Sequence, residues 1–208
     1  MQGCSVNLVC TDAPAMRDID IRRALRVEMA RRHCGEPDTL IVEELGLCQG
    51  TARIDLAVVN GSIHGYEIKS EHDTLARLPN QTDIYNRALE FITIVVAPIH
   101  VNKIGKIIPA WWGILCALQD GNDLRLEQSR ESARNPEIMP FALAQFLWRE
   151  EALQALADHG LAIGMRHKSR DHLWRRIALE FTHEELEHTV CERLKRRGAD
   201  WRSPGLQA

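Results

Sequence analysis

The stretch Arg53-Ile54-Asp55-Leu56-Ala57-Val58-Val59-Asn60-Gly61-Ser62-Ile63-His64-Gly65-Tyr66-Glu67-Ile68-Lys69 decides the fold. Residues 54–59 are apolar and mostly β-branched apart from Asp55, and Asn60-Gly61 is a strong hairpin signal. Side chains alternate along a strand, so Glu67 and Lys69 share a face while Ile68 points the other way. Residues opposed across a hairpin have a constant sum of numbers. A two-residue Asn-Gly loop gives 121 and sets Asp55 against Tyr66. A three-residue turn, or one bulge, gives 122. Asp55 then faces Glu67, Arg53 faces Lys69, and Ile54, Leu56 and Val58 face Ile68, Tyr66 and His64. That even register gathers charge on one face and apolar side chains on the other. A one-residue slip would invert every side chain, so the even register is predicted, with a bulge or three-residue turn at Asn60-Gly61-Ser62.

Asp55 interrupts an apolar strand, and a carboxylate there is costly unless something pairs with it. Two adjacent carboxylates raise each other's pKa. A divalent cation with a preference for oxygen ligands, Mg²⁺ or Mn²⁺, resolves the conflict. A lysine on the same face orients a water or offsets charge on a phosphorane-like centre. Asp followed by Glu-x-Lys therefore suits metal-assisted hydrolysis of a phosphodiester. Glu-x-Lys alone is more often an ion-paired hairpin face, and the neighbouring segments decide between the two.

Before the hairpin, residues 17–33 have helical spacing, with Ile21, Leu25, Glu28, Met29 and Arg32 near one face and Gly35 as a stop. Residues 40–45 read as a strand, in which Glu43 and Glu44 point to opposite faces, and 46–52 as a loop. After Lys69, Asp73 is a candidate cap. Pro79 requires either a short turn before a helix that begins near it or a kinked helix. Gln81 and Tyr85 share a face of that helix; Ile84 and Ala88 face the core. Residues 91–97 form a buried strand, 99–110 a loop with Lys103 and Lys106, 111–118 a strand and 124–127 an edge strand. Pro140 opens a helical period that runs to Leu156, with Gly160 beyond it. Ser169 caps a helix through Phe181. Thr182 and Glu185 have capping-box spacing for a helix to about Arg197, stopped by Gly198. Residues 1–16 are a poorly specified lead-in containing Pro14. A polar shift near 128–138 divides an α/β core, 1–130, from a helical C-terminal extension, 131–208.

The chain of 208 residues carries a net charge of −3, so any nucleic-acid surface must be local. Cysteines at 4, 10, 34, 48, 116 and 191 show no Cys-x-x-Cys spacing, which points to free thiols in a reducing cytoplasm. No signal peptide and no span of membrane length is expected. His183 and His188 lie five apart and share no helical face, which argues against a zinc-protease helix; His167 and His172 have the same spacing. The arginines and lysines of 166–176 and 193–197 offer a candidate phosphate-tracking surface, with solvated helix faces as the commoner outcome. Trp111 and Trp112 are core or interface residues before they are a base-stacking platform.

Helix, strand, strand, strand, helix, strand, with Asp55 on the second strand and Glu67-Ile68-Lys69 on the third, resembles the core of the PD-(D/E)XK nuclease superfamily. Glu44-Leu45, Arg53-Ile54-Asp55, Tyr66 through Leu78 and Gln81 through Tyr85 resemble more closely one uncharacterised bacterial family of it. In that family a Tyr-Glu-Ile-Lys-Ser strand enters an Asp-Thr-Leu-x-Arg-Leu-x-x-Gln helix. The likeness covers roughly residues 40–115. It implies a restriction-endonuclease-like α/β fold with a mixed central sheet, extra strands and a helical C-terminal unit. It implies a metal-dependent nuclease acting on DNA. Asp55, Glu67, the Ile68 carbonyl and Glu44 would bind Mg²⁺ or Mn²⁺, with Glu43 and Glu28 as alternatives to Glu44. Lys69 would serve the attacking water or the transition-state charge, and Gln81, Tyr85, Ser70 and Arg77 the substrate. Pro79, just before Gln81, departs from the pattern. A catalytically silent nuclease fold that binds nucleic acid or a protein is the alternative, as is a metal-binding structural domain. A homodimer through Trp111 or the C-terminal helices is compatible with the sequence.

Overall fold

In the computed structural model, residues 16–121 and 123–198 are described; the lead-in, with Cys4, Cys10 and Pro14, lies outside them apart from Met16. The order is α1 (Asp18–Arg32), β1 (Leu40–Leu47), β2 (Ala52–Val59), β3 (Ile63–Lys69), α2 (Leu78–Ala88), β4 (Phe91–Val96), α3 (Pro98–Ile104), β5 (Gly113–Asp120), β6 (Asp123–Arg130), α4 (Pro140–Ala144), α5 (Arg149–Asp158), α6 (Arg170–Glu180) and α7 (His183–Arg197). One mixed sheet holds all six strands in sequence order. β3, β4 and β5 are parallel neighbours and the other pairings are antiparallel. The crossovers β3–α2–β4 and β4–α3–β5 advance in one direction across the sheet. Their common hand therefore places both helices on one face, and α1 covers the other.

The hairpin register is the even one: Leu56 opposes Tyr66, Ala57 Gly65, Val58 His64 and Val59 Ile63, across a three-residue turn. Gly61, at φ 75°, supplies the left-handed step the turn needs. Leu56, Val58, Tyr66 and Ile68 pack under α1 with Ile21, Leu25 and Met29, as the register requires. Ile54 does not join them. It lies on the opposite face with Ala57 and Val59. On β1, Val42 shares that opposite face with Leu45 and Leu47. Both strands thus change parity at the same rung, where Glu44 faces Asp55. Glu44 has φ 59°, and the β1–β2 ladder resumes with the register unchanged. The face expected to gather charge is instead a second buried face, with the Glu67–Lys69 pair set into it.

Several boundaries differ from the sequence reading; β1 runs on to Leu47 and β5 spans Gly113–Asp120. Residues 99–110 are not all loop: Pro98 opens α3 in its first turn, and His100 and Ile104 are buried. The helix expected from Pro140 to Leu156 is broken between Ala144 and Arg149. Trp148 turns extended there, and its N–H is taken by Glu151 Oε2 at 2.7 Å. β6 continues to Arg130 because its backbone pairs with β5 as far as Ile114. At Pro79 the first alternative holds: a 3₁₀ turn at Leu75–Arg77 precedes α2, and the proline sits in the first turn. The Thr182–Glu185 capping box opens α7. No helix among the described residues is long and apolar enough to cross a membrane.

α2, α4, α5, α6 and α7 share one apolar core with the sheet, joining Leu45, Ile92 and Trp112 to Leu143, Trp174, Ile177 and Val190.

Candidate active site

β2 and β3 part beyond the Leu56–Tyr66 rung, and side chains take over where the ladder stops. Asp55 Oδ2 accepts the Ile68 N–H at 2.7 Å. The N–H and C=O of one strand residue point the same way, so the Ile68 carbonyl also faces this gap. Asp55 Oδ1 is held by Arg22 Nη2 at 2.8 Å, and Arg22 Nη1 reaches the Asp55 carbonyl at 3.0 Å and Glu44 Oε1 at 3.0 Å. Arg53 Nη1 takes the other Glu44 oxygen at 3.1 Å. Arg22 comes from the second turn of α1, and the parity change at Glu44 and Asp55 is what turns both acids toward it.

Glu67 sits deeper, 2% exposed. Its Oε1 accepts Lys69 Nζ at 2.5 Å and Gln81 Nε2 at 2.8 Å, and its Oε2 accepts the Tyr85 hydroxyl at 2.7 Å. Burial, with the Asp55 charge adding to it, pushes the Glu67 carboxyl up to about 7 against the pull of Lys69 and Tyr85. Burial also raises Asp55, against the Ile68 N–H and Arg22. Two desolvated carboxylates, both raised by burial, beside a backbone carbonyl form a donor set that suits a hard divalent cation. One further atom fits this reading. Gln81 Oε1 is buried beside Glu67 without a hydrogen-bond partner, a place for a bound water or a ligand of such a cation.

The other expected site residues divide by position. Gln81 and Tyr85 meet Glu67 from adjacent turns of α2. Tyr85 is fully buried, so it positions the carboxylate and does not face substrate. Its hydroxyl also lies 2.8 Å from the Arg53 carbonyl, which ties α2 to β2. Ser70 is buried too, its N–H and hydroxyl both donating to Asp73 Oδ2 at 2.7 and 2.6 Å. Arg77 is exposed. Of the three candidates for the first acid, Glu28 belongs to α1's own surface: hydrogen bonds from Arg31 and Arg32 hold it down at about 2. Glu43 pairs with Arg26 at 3.0 Å, and Glu44 alone of the three stands opposite Asp55. Trp112 is fully buried, with Nε1 bound to Asn86 Oδ1 at 2.9 Å, and has no face for a base. Much of the C-terminal positive charge is answered within the molecule: Arg175 by Asp171, Arg176 by Glu180, Arg193 by Asp158, and Arg197 by Glu151. The sequence reading missed Arg22. Its role depends on where α1 lies over the hairpin that carries Asp55.

Fold and site define a mixed α/β protein whose central strands hold a buried acid–lysine cluster roofed by α2. The family model of bacteriophage P4 protein cII matches residues 20–202, and the chain belongs to that family. Protein cII of Enterobacteria phage P4 is 27% identical over 149 residues, covering 72% of this chain and 56% of that protein. The chain therefore spans little more than half the length of that relative. A solved structure of a protein of unknown function from Silicibacter pomeroyi is similar at 23% identity and a TM-score of 0.39, over 69% of this chain and 96% of that one.

Proposed function

We propose that the chain is a divalent-metal-dependent phosphodiesterase acting on DNA, with a core of the PD-(D/E)XK type. The observation that carries this reading is the buried Glu67–Lys69 pair, held by Gln81 and Tyr85 beside an Asp55 fixed to the backbone of the same strand. A structural ion pair needs neither the second carboxylate nor the unpartnered amide oxygen. Asp55, Glu67 and the Ile68 carbonyl would hold Mg²⁺ or Mn²⁺, which when bound lowers the pKa of water and offsets charge on the phosphoryl oxygens. Lys69 hydrogen-bonds the attacking water and stabilises charge at the in-line transition state. Glu67 holds Lys69 in place through its Oε1. Gln81 fixes Glu67 and presents its free oxygen to the site. Arg22 and Arg53 hold Glu44 at the rim, so Glu44 acts on the metal only through a water or after Arg22 has moved.

The Arg22 bridge favours a second reading, a nuclease-type fold that binds nucleic acid without cutting it, because Asp55 and Glu44 are already paired with Arg22, and Glu44 with Arg53 as well. Linear, supercoiled and single-stranded DNA incubated with Mg²⁺ or Mn²⁺ separates the two, with wild type compared against Asp55→Asn and Lys69→Met. Divalent-dependent cutting lost in both variants supports the enzyme. Cutting that survives both sinks it. DNA retention without cutting, unchanged by chelator, selects the second reading.

A further inference from the structure

At the other end of the same strands stands a second set of metal-ligating side chains, which the proposed nuclease chemistry does not use. Glu90 precedes β4 and is fully buried. Its Oε2 accepts the Ile63 N–H at 3.0 Å, where β3 begins, and its Oε1 is buried without any partner. An unmet buried acceptor is destabilising, so this oxygen calls for a ligand. α7 presents His183 and Glu187 to the Glu90 carboxylate. They are four residues apart and share a helical face, although His183 and His188, five apart, do not. One ligand atom each from Glu90, His183 and Glu187 lie within 4.8 Å of one another. Arg134 Nη2 donates to Glu187 Oε2 at 2.5 Å and meets His183 Nε2 at 3.2 Å. In that contact the His183 Nε2 acts as acceptor, so its lone pair faces the cluster.

We propose that Glu90, His183 and Glu187 form a binding site for a first-row transition metal of the Zn²⁺ class, in competition with the Arg134 guanidinium. One imidazole and two carboxylates suit Zn²⁺, with a water as fourth ligand. At Zn–ligand distances of about 2.1 Å, tetrahedral donors stand about 3.4 Å apart. The three side chains therefore close by about an ångström, which the partly exposed His183 permits. Arg134, with about half its side chain in solvent, swings out as the metal enters. The site lies four residues along β3 from Glu67, roughly 13 Å, and is separate from the proposed catalytic centre. Its effect is structural: it pins α7 to the starts of β3 and β4.

The test is Zn²⁺ and Co²⁺ titration of the chelator-treated full chain, followed by calorimetry, Tm and the visible spectrum of the Co²⁺ form. Wild type should take one tight equivalent with a rise in Tm and a tetrahedral Co²⁺ spectrum. His183→Ala, on a partly exposed residue, should fold and lose that equivalent, and Glu187→Gln should weaken it. Asp55→Asn should retain it, which keeps this site distinct from the nuclease centre. Arg134→Gln should tighten binding by about tenfold, as removal of a competing cation requires. Unchanged stoichiometry in His183→Ala, or weaker binding in Arg134→Gln, would overturn the assignment.

Discussion

Three donors, Lys69, Gln81 and Tyr85, hold the buried Glu67 carboxyl, while burial and the Asp55 charge oppose its ionisation. Removing Lys69 alone leaves a carboxylate desolvated and unpaired. Lys69→Met is therefore expected to cost about 3–5 kcal/mol in denaturant unfolding, and adding Glu67→Gln should return part of that loss. Additive losses in this double-mutant cycle would mean the two side chains do not interact as drawn. Tyr85→Phe removes one donor from the same carboxylate and should cost about 1–3 kcal/mol. It should lower cleavage while leaving DNA retention unchanged, because Tyr85 does not reach the surface. His64 offers a test by pH. Burial holds its imidazole down at about 3, with its ring stacked on Tyr66 and Nε2 2.8 Å from Thr93 Oγ1. The folded pKa lies below the unfolded value of about 6.5, so between the two the unfolded chain binds more protons. The stability of the neutral histidine is fully present above about pH 6.5 and is lost as pH falls toward 3. Allowing for the ring's partly exposed edge, the loss is on the order of 3–4 kcal/mol. His64→Gln should flatten the Tm profile over that window, and an unchanged acid slope would show that His64 is not its source. Glu67 and Lys69 were legible in sequence as one row because side chains alternate along β3, whereas the rung that the hairpin sum gave Asp55, opposite Glu67, lies beyond the ladder, which ends at Leu56–Tyr66. Arg22 was not, since its role depends on where α1 lies over β2, which no local pattern encodes.

Among the elements, the hairpin shows how far local pattern reaches. Its register followed from sequence because only one pairing buries Leu56, Val58, Tyr66 and Ile68 together. The parity change at Glu44 and Asp55 did not, because alternation rules assume an even pleat and Glu44 departs from it with a left-handed backbone. α3 escaped for a different reason: seven residues opened by a proline give too short a period to register against a loop. The close contact of sheet neighbours makes a prediction at this scale. A Cβ at Gly65 would stand 2.6 Å from Leu89 Cδ1, the end of a flexible side chain. A Cβ at Gly113 would stand 2.5 Å from Thr93 Oγ1 and 3.0 Å from the Ser132 backbone nitrogen. Leu89 can turn away; the Ser132 backbone cannot without moving the strand beside it. Both alanine substitutions should destabilise, within the range of about 1–3 kcal/mol for overpacking. Gly113→Ala should be the worse in urea unfolding, and the reverse order would show that the β5 edge yields more easily than the α2–β4 corner.

Across the whole molecule, composition suggested a seam near 128–138, and the structure shows what the polar residues there do. Asn135, 5% exposed, donates through Nδ2 to the carbonyls of Asn86 at 2.6 Å and Leu89 at 2.8 Å, which end α2, while its own N–H meets the Glu90 carbonyl at 2.8 Å. A polar residue in this position reads from sequence as linker and acts in space as a clasp. Beyond it, Phe146, Trp174 and Leu186 fill the same core as Tyr85 and Ile92, and Arg197 reaches back to the Phe146 carbonyl at 2.7 Å. Removal of residues 131–208 would lay that face of α2 and the sheet open to water, a far larger apolar area than a soluble surface tolerates. The chain is therefore expected to unfold as one cooperative unit. Near-ultraviolet dichroism, which reports Trp112 and Trp174 from the two ends of the core, should change at the same urea concentration as the far-ultraviolet signal. A 1–130 fragment should fail to give either native signal, and Asn135→Ala should shift both transitions together by about 1–3 kcal/mol. Two separated transitions, or a folded 1–130 fragment, would instead make α4–α7 an independent unit. The roof that α2 forms over Glu67 would then not need the helices packed behind it.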